Sequence, residues 1–452
     1  MKFLLSVLTL WMLVPVVCPA QDQPAVYDSL TDRTLSRQEM QDDLQYLRKV
    51  MEAVHPGLYR YTPRPVMDQR LDSFYDRLTG SLPFYDYYRS MASLVAGVRC
   101  AHTSILPGRN WESHFMRNVP LFPYSLHFIK DRAYIILNQT ADTTLKPGFE
   151  LLAINGQSIT DIRQVIFDHS WSDGYNTTNK QQRLNQGMFA ILYYLSVGRP
   201  TQFELTCKDF SGQTIQVKTP AMTMTTSSAN FRQNPVNKDI LRMYVNRKRD
   251  DLELDIKKDH NAALLTIRTF GGAAAGKISS FLPKAMKELE KKQIRHLVID
   301  LRSNGGGWDS AGVILFTYLI NKPSRYYVRQ HAITDTSQYL ALSDLSPEDL
   351  KNVKNELVGE KDGTFSLKES AAAGLSLQVP KPQHFTGKVY FIMNGASAST
   401  TSEFLAAAHA NQLGVFIGEE DGGNYAGGNG GSFIGLVLPN SKIKISIPLF
   451  VL

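Results

Sequence analysis

Two runs of small and polar residues carry the side chains that could do chemistry. One is Asn394-Gly395-Ala396-Ser397-Ala398-Ser399-Thr400-Thr401-Ser402-Glu403, which follows the short apolar run Lys388 to Met393. The other is Arg302-Ser303-Asn304-Gly305-Gly306-Gly307, which follows His296 to Leu301. Each leads into a helical pattern. Strand, tight turn and helix in that order place a reactive side chain and bare backbone N–H groups at the carboxyl edge of a parallel sheet. Two such turns facing one pocket would give a hydroxyl nucleophile from one and oxyanion donors from both. The three consecutive glycines let the backbone reach positive φ and approach a substrate with no Cβ in the way. Each turn also has a plain reading. The glycines suit an ordinary strand-to-helix loop, and Thr400 with Glu403 fits a capping box, leaving Ser399 as one more small residue at a helix start.

Other chemistries find no support in the sequence. The Gly-rich stretch 422–431 lacks the Lys-Ser/Thr of a phosphate-binding loop. Cys100 and Cys207, the two cysteines left after the leader, do not have metal-ligand spacing, although in an exported protein they could pair. No metal or other cofactor is expected. The net charge of +7 is modest for 452 residues and its basic side chains are scattered. The densest run, Lys287 to Arg295, reads as the solvated face of a helix and not as a nucleic-acid site.

The elements that must position these turns follow from pattern. Residues 1–20 read as a signal peptide: Lys2, the apolar stretch Phe3 to Val17, then Cys18-Pro19-Ala20 at the cleavage positions. A lipid anchor on Cys18 is the second reading, ranked below because Val17 is large for that motif. No other stretch is long and apolar enough for a membrane span, so an exported protein without stable membrane insertion is expected. The remaining length suggests two or three domains. Residues 21–110 read as helical, opened by a capping box at Ser36 and Glu39 with Met40, Leu44, Leu47, Met51 and Val54 at helical spacing. Further helices are expected over Val66–Leu78 and Phe84–Val98. Residues 111–220 read as strand-rich and 221–250 as a polar linker with a little helix near Lys238 to Tyr244. From 251 to 452 an α/β pattern begins, with a βαβ unit in Ala263–Thr269, Ala275–Lys291 and His296–Leu301. An insertion over 322–385, with a helix at Pro347–Glu356, separates the two turns and suits a lid or pocket wall. The sequence stops at Leu452 inside what reads as a strand, which predicts an open sheet edge there.

The segments DLRSNGGG (300–307), NGASASTTSEFLAAA (394–408) and FIGEEDGGNYAGG (416–428), in this order, resemble the serine peptidases of the C-terminal processing peptidase and tricorn-like family. The resemblance extends upstream through HPGLYRYTP (55–63), CAHTS (100–104) and PGFELLAINGQSI (147–159), and so covers roughly residues 36 to 450. It implies an α/β fold with an N-terminal helical segment, a PDZ-like strand-rich module and a catalytic α/β domain of the crotonase-like ββα type. It also implies a peptide or protein substrate. A PDZ-like module would bind an extended chain by strand addition or serve only as packing.

The resemblance places the nucleophile at Ser399, with Thr400, Ser397 and Ser402 as alternatives. Such a serine needs a base. Processing peptidases use a downstream Lys, but Thr400 to Ser441 contains none, so that dyad is excluded. Tricorn-like relatives use an upstream His in a G-H-T segment; here Ala101-His102-Thr103 makes His102 the implied base, with Ala101 departing from the pattern. The oxyanion donors would be the N–H of Thr400 and one from Gly305 or Gly306. Asp300 and Arg302 are expected to be a structural pair. For the acid that would support His102, the sequence offers Glu403, Glu419 and Glu420, with Asp421 beside them, and does not choose. Relatives usually continue beyond this point with a further acidic residue, so weak activity is expected of the chain as it stands.

Overall fold

The structure, a computed structural model, describes residues 33–108, 111, 115, 118–245 and 250–452. The signal peptide and its cleavage site lie outside them. Among the described residues, no helix is long and apolar enough to cross a membrane.

The architecture is mixed α/β, with three apolar cores. The first belongs to the N-terminal helices. The capping box forms as expected: the Ser36 hydroxyl accepts from the Glu39 N–H while the Glu39 carboxylate accepts from the Ser36 N–H, opening the helix Arg37–Val54. Its Met40, Leu44, Leu47 and Val54 face inward with the helices Arg64–Arg77 and Phe84–Ala96. The same core takes Ile445, Ile447 and Leu449 from the C-terminal strand Lys444–Val451. The buried Asp43 carboxylate accepts from the N–H groups of Asn440 and Ser441, each at 2.8 Å, and pins the first helix to the turn before that strand.

The expected open edge at the C-terminal strand is corrected by this pairing. Lys444–Val451 pairs along Asn429–Val437 on one side, and with Ile105–Leu106 and His331 on the other. The partners on that second side come from distant parts of the chain, so no local pattern could reveal them.

The second core surrounds a five-stranded sheet, in the order Leu252–Lys257, Ala262–Ile267, His296–Asp300, Lys388–Met393, Val415–Gly418. The first pairing is antiparallel and the other three are parallel. Asp300 sits in register with Ile392, so the two central strands end together and send their turns out from one edge. The helices Gly272–Lys291, Asp309–Thr317 and Thr400–Ala410 are the crossovers.

The third core lies under an antiparallel sheet of Tyr124–Ile129, Arg132–Asn138, Glu150–Ile154, Gln202–Lys208 and Thr214–Pro220. The 111–220 region also holds helices at Ile159–Asp168, Thr178–Arg183 and Phe189–Ser196, the last two joined through a π turn. The stretch read as a linker contains the expected helix, as Lys238–Val245, and an unexpected second one, Met224–Gln233. Buried Asn237 ties it to the sheet by donating to the Asn138 carbonyl at 2.7 Å. Such polar anchoring leaves no apolar period to read. Cys100 and Cys207 are both free and buried, in different cores, so they do not pair.

Candidate active site

The two turns meet. Ala398 donates its N–H to the Asn304 carbonyl at 3.0 Å, and Ser303 donates to Asn394 Oδ1 at 2.9 Å. Gly306 has φ +98°, and a Cβ there would stand 2.7 Å from the Ala398 carbonyl oxygen and 2.8 Å from Ser399 Cβ. Glycine is therefore needed at 306 for close approach as well as for its dihedral. The expected Asp300–Arg302 pair is present. Arg302 Nη2 lies 2.7 Å from Asp300 Oδ2, and the Arg302 N–H also donates to that carboxylate, which fixes the mouth of the first turn.

Ser399 occupies the cap position of the Thr400–Ala410 helix with φ 56° and ψ −130°. A side-chain-bearing residue held at positive φ is strained, and such strain collects where a sharp turn lifts a side chain out of the backbone. The four hydroxyls raised by the sequence separate cleanly. Ser397 is fully buried and donates to the Leu301 carbonyl at 2.8 Å. Ser402 donates to the Ser397 carbonyl at 3.0 Å, and Thr400 donates to the Gly307 carbonyl at 2.9 Å. Ser399 Oγ instead lies 3.3 Å from His102 Nε2.

His102 is half-buried, against the ring of Phe433 at a centroid distance of 5.7 Å. The Nδ1 atom of its ring is buried and has no hydrogen-bond partner among the described residues. Burial lowers the imidazole pKa below its ordinary value, and the negative charge of Asp173 is the largest influence opposing that. Asp173 is buried and accepts from the Ala101 N–H at 2.7 Å, directly before His102. Burial pushes its carboxyl upward, and the neighbouring imidazole draws it back.

None of the acids offered by the sequence reaches the free nitrogen of His102. The Glu403 carboxylate accepts from the Tyr327 hydroxyl. Burial, with Asp309 beside it, pushes Glu403 up to about 8, so near neutrality it holds a proton much of the time. Glu419 accepts from Gln182 Nε2 at 2.7 Å, and the backbone carbonyl of exposed Glu420 accepts from the Thr178 hydroxyl at 2.9 Å. Burial raises Asp421 to about 6, and its carboxylate accepts from the Gly423 N–H. The charges that act on His102 are Asp173, which raises its pKa, then Arg183, which lowers it, and then Asp309, which raises it, and none of the three falls in a motif. Asp173 sits in Trp171-Ser172-Asp173-Gly174, between helices in a region that reads as strand. Its only sequence signal is the Asp-Gly pair of a turn.

The three candidate oxyanion donors differ. Thr400 opens its helix, so its N–H has no intrahelical acceptor. The Gly305 N–H donates to no backbone carbonyl among the described residues. The Gly306 N–H is committed to Asn304 Oδ1 at 3.0 Å. Among the described residues, no group of His, Cys, Asp or Glu is arranged to hold a metal ion.

Comparison with known proteins bears on what such a site belongs to. The family model described as Peptidase family S41 matches residues 261–433, which include both turns. A search of curated proteins finds no match. Among solved structures, mature CPAF is similar with 14% identity and a TM-score of 0.60, over 92% of this chain and 89% of that one. Mature CPAF complexed with lactacystin is similar at 15% identity and TM-score 0.61, over 92% and 90% of the two chains. A serine-to-alanine mutant of CPAF is similar at 13% identity and TM-score 0.63, over 92% and 89%. At these identities the structures establish a shared fold. Together with the family match over residues 261–433, which take in both turns, they support the assignment of a serine-type peptidase similar to family S41.

Proposed function

We propose that the protein is an exported peptidase that cleaves peptide bonds with Ser399 as nucleophile and His102 as base. The observation that carries this reading is the pair Ser399 Oγ and His102 Nε2, 3.3 Å apart across a strained turn. The separation is loose for a proton-transfer pair, and such pairs tighten when substrate is bound. His102 takes the Ser399 proton as Oγ attacks the carbonyl carbon, then returns it to the leaving amine. The negative charge on the carbonyl oxygen falls to the N–H groups of Thr400 and Gly305, with Gly306 leaving the space that the oxygen enters. Asp173 stabilises the imidazolium through space.

The same reading assigns residues 21–110 to a helical domain, 111–220 to a PDZ-like module, 221–250 to a connecting segment and 251–452 to a catalytic domain of the crotonase-like type, behind a leader over 1–20. The buried, unpartnered Nδ1 of His102 favours one alternative: a weak or inactive family member that holds a peptide or an apolar ligand. A serine-directed fluorophosphonate separates the two. Covalent labelling of the wild type, lost in Ser399→Ala, supports the peptidase. An unlabelled wild type that still binds peptides supports the alternative. Lactacystin, bound in one of the matching structures, is a second probe.

A further inference from the structure

A groove of about 1400 Å³ runs between the helices Arg64–Arg77 and Phe84–Ala96 and the 167–180 segment. It exceeds the roughly 300–1,000 Å³ usual for a small-molecule pocket and suits an extended chain. Five cationic side chains line it, Arg70, Arg77, Arg89, Arg99 and Lys180, against two carboxylates, Asp86 and Asp168. Asp86 is already engaged by Arg89, and the Asp168 carboxylate accepts from Gln164. Among the described residues, no ion pair forms to Arg70, Arg77, Arg99 or Lys180.

Arg99 is the most constrained of these. Its backbone is held at φ 60°, and its carbonyl accepts from the Gly174 N–H at 2.9 Å. Its guanidinium lies 3.8 Å from the centroid of the exposed Tyr175 ring, and its Nε is buried without a partner. A positive-φ backbone, a guanidinium stacked on an exposed ring and a spare donor together describe a side chain held in one place at the groove wall. The groove also shares a wall with the reacting groups. Asp173 and Gly174 hold the Arg99–His102 segment from one side, through the Ala101 N–H and the Arg99 carbonyl. Arg99 is three residues from His102, at most about 10 Å along an extended chain.

We propose that this groove binds an acidic segment of the polypeptide substrate, a few residues from the bond to be cut, and so sets a preference for carboxylate-rich chains. This deepens the peptidase reading and rests on it. Guanidinium groups pair bidentately with carboxylates, and the excess of positive charge steers such a chain toward the groove.

The test is binding of a fluorescein-labelled, Glu- and Asp-rich dodecapeptide to the full-length Ser399→Ala protein, measured by anisotropy beside a Gln- and Asn-substituted control. The acidic peptide is expected to bind at least about tenfold more tightly than the control, with the difference shrinking as salt shortens the screening length. Arg70 and Arg77 are exposed and two turns apart on one helix face, so Arg70→Glu/Arg77→Glu leaves the core intact, which a thermal melt verifies. That double variant, and separately Arg99→Gln, is expected to erase the preference. Equal binding of both peptides, or a preference that survives both variants, overturns the proposal. Equally tight binding of inorganic polyphosphate overturns the carboxylate assignment in favour of a general polyanion site. Because the binding assay involves no turnover, the two readings separate: a variant that binds in this manner, with a wild-type protein that cleaves neither peptide, defeats the peptidase reading and leaves the groove standing.

Discussion

Replacing Asp173 by Asn is the sharpest probe of the proposed site. An Asn side chain keeps an oxygen to accept the Ala101 N–H, so the local backbone is preserved while one negative charge is lost. Asp173 Oδ1 lies 2.7 Å from the Ala101 nitrogen, and the imidazole begins one residue further on. One Cα step and a side-chain reach put the two charges ~6–8 Å apart. At an effective dielectric constant near 20, a pair of unit charges at that range interacts by roughly 2–3 kcal/mol. The sign follows from the direction of the effect. Burial lowers the His102 pKa and Asp173 raises it, so removing Asp173 lowers it further. The acidic limb of kcat/KM, which reports the free enzyme, is expected to move to lower pH. The plateau is expected to fall roughly thirty- to hundredfold, because the imidazolium formed during attack loses the same stabilisation. The assay is a pH–rate profile on a fluorogenic peptide, with Asp173→Ala as the variant that loses both charge and anchor. A limb that stays in place or moves upward would refute the charge argument and return the search for the acid to Glu403 or Asp309.

Four further outcomes are expected. Ser399→Ala and His102→Ala should each remove nearly all peptide cleavage, with loss approaching about a millionfold if they act as a unit; full activity in Ser399→Ala with loss in Thr400→Ala would move the nucleophile by one residue. Gly306→Ala should lose both activity and melting temperature, since the new Cβ meets backbone atoms at 2.7 and 2.9 Å, whereas Gly363→Ala, with no neighbour within 4 Å of an added Cβ, should lose only what its positive φ costs. His55 is buried, with Nδ1 accepting from the Gly57 N–H and Nε2 against the Thr103 hydroxyl, and burial lowers it to about 4. Its neutral form therefore contributes stability that is present above pH 6.5 and lost on acidification toward 4, about 3 kcal/mol in all, and chemical denaturation of His55→Gln across that range should show a flatter dependence. Glu403 has the opposite sign. With its carboxyl raised to about 8, its contribution is full below its ordinary value of 4.5 and declines as pH rises through 8, so Glu403→Gln should gain stability relative to wild type at alkaline pH.

What could be read in the sequence was whatever is local. The Ser36–Glu39 box, the helix Pro347–Glu356 and the strand-turn-helix order around 300–307 and 394–408 all depend on neighbours within a few residues, and the structure contains each of them. The approach of His102 to Ser399 was reachable only through resemblance, because 297 residues separate the two and no periodicity spans that gap. Asp173 could not be read at all. Its importance comes from burial beside an imidazole, and nothing in Ser172-Asp173-Gly174 distinguishes it from a surface turn. The open edge expected at Lys444–Val451 failed for the same reason. The strand is covered by Ile105–Leu106 and His331, partners chosen by tertiary packing.

The geometry of the two turns explains why neither is informative alone. Holding Ser399 at φ 56° costs of order 1–3 kcal/mol. Four hydrogen bonds offset it: Ala398 N–H to the Asn304 carbonyl, Ser303 N–H to Asn394, Ser397 hydroxyl to the Leu301 carbonyl and Thr400 hydroxyl to the Gly307 carbonyl. At about 0.5–1.5 kcal/mol each, they together are of the same size as the strain or larger. All four run between the turns, so the strained serine is stable only while the glycine turn is in place. Gly306 lacks a Cβ where the Ala398 carbonyl oxygen, the Ser399 Cβ and the Thr400 nitrogen would meet it. On the proposed mechanism, the contact at Gly306 is therefore also the one that holds the nucleophile in place, and a substitution in the first turn is expected to act on the chemistry of the second without touching the substrate.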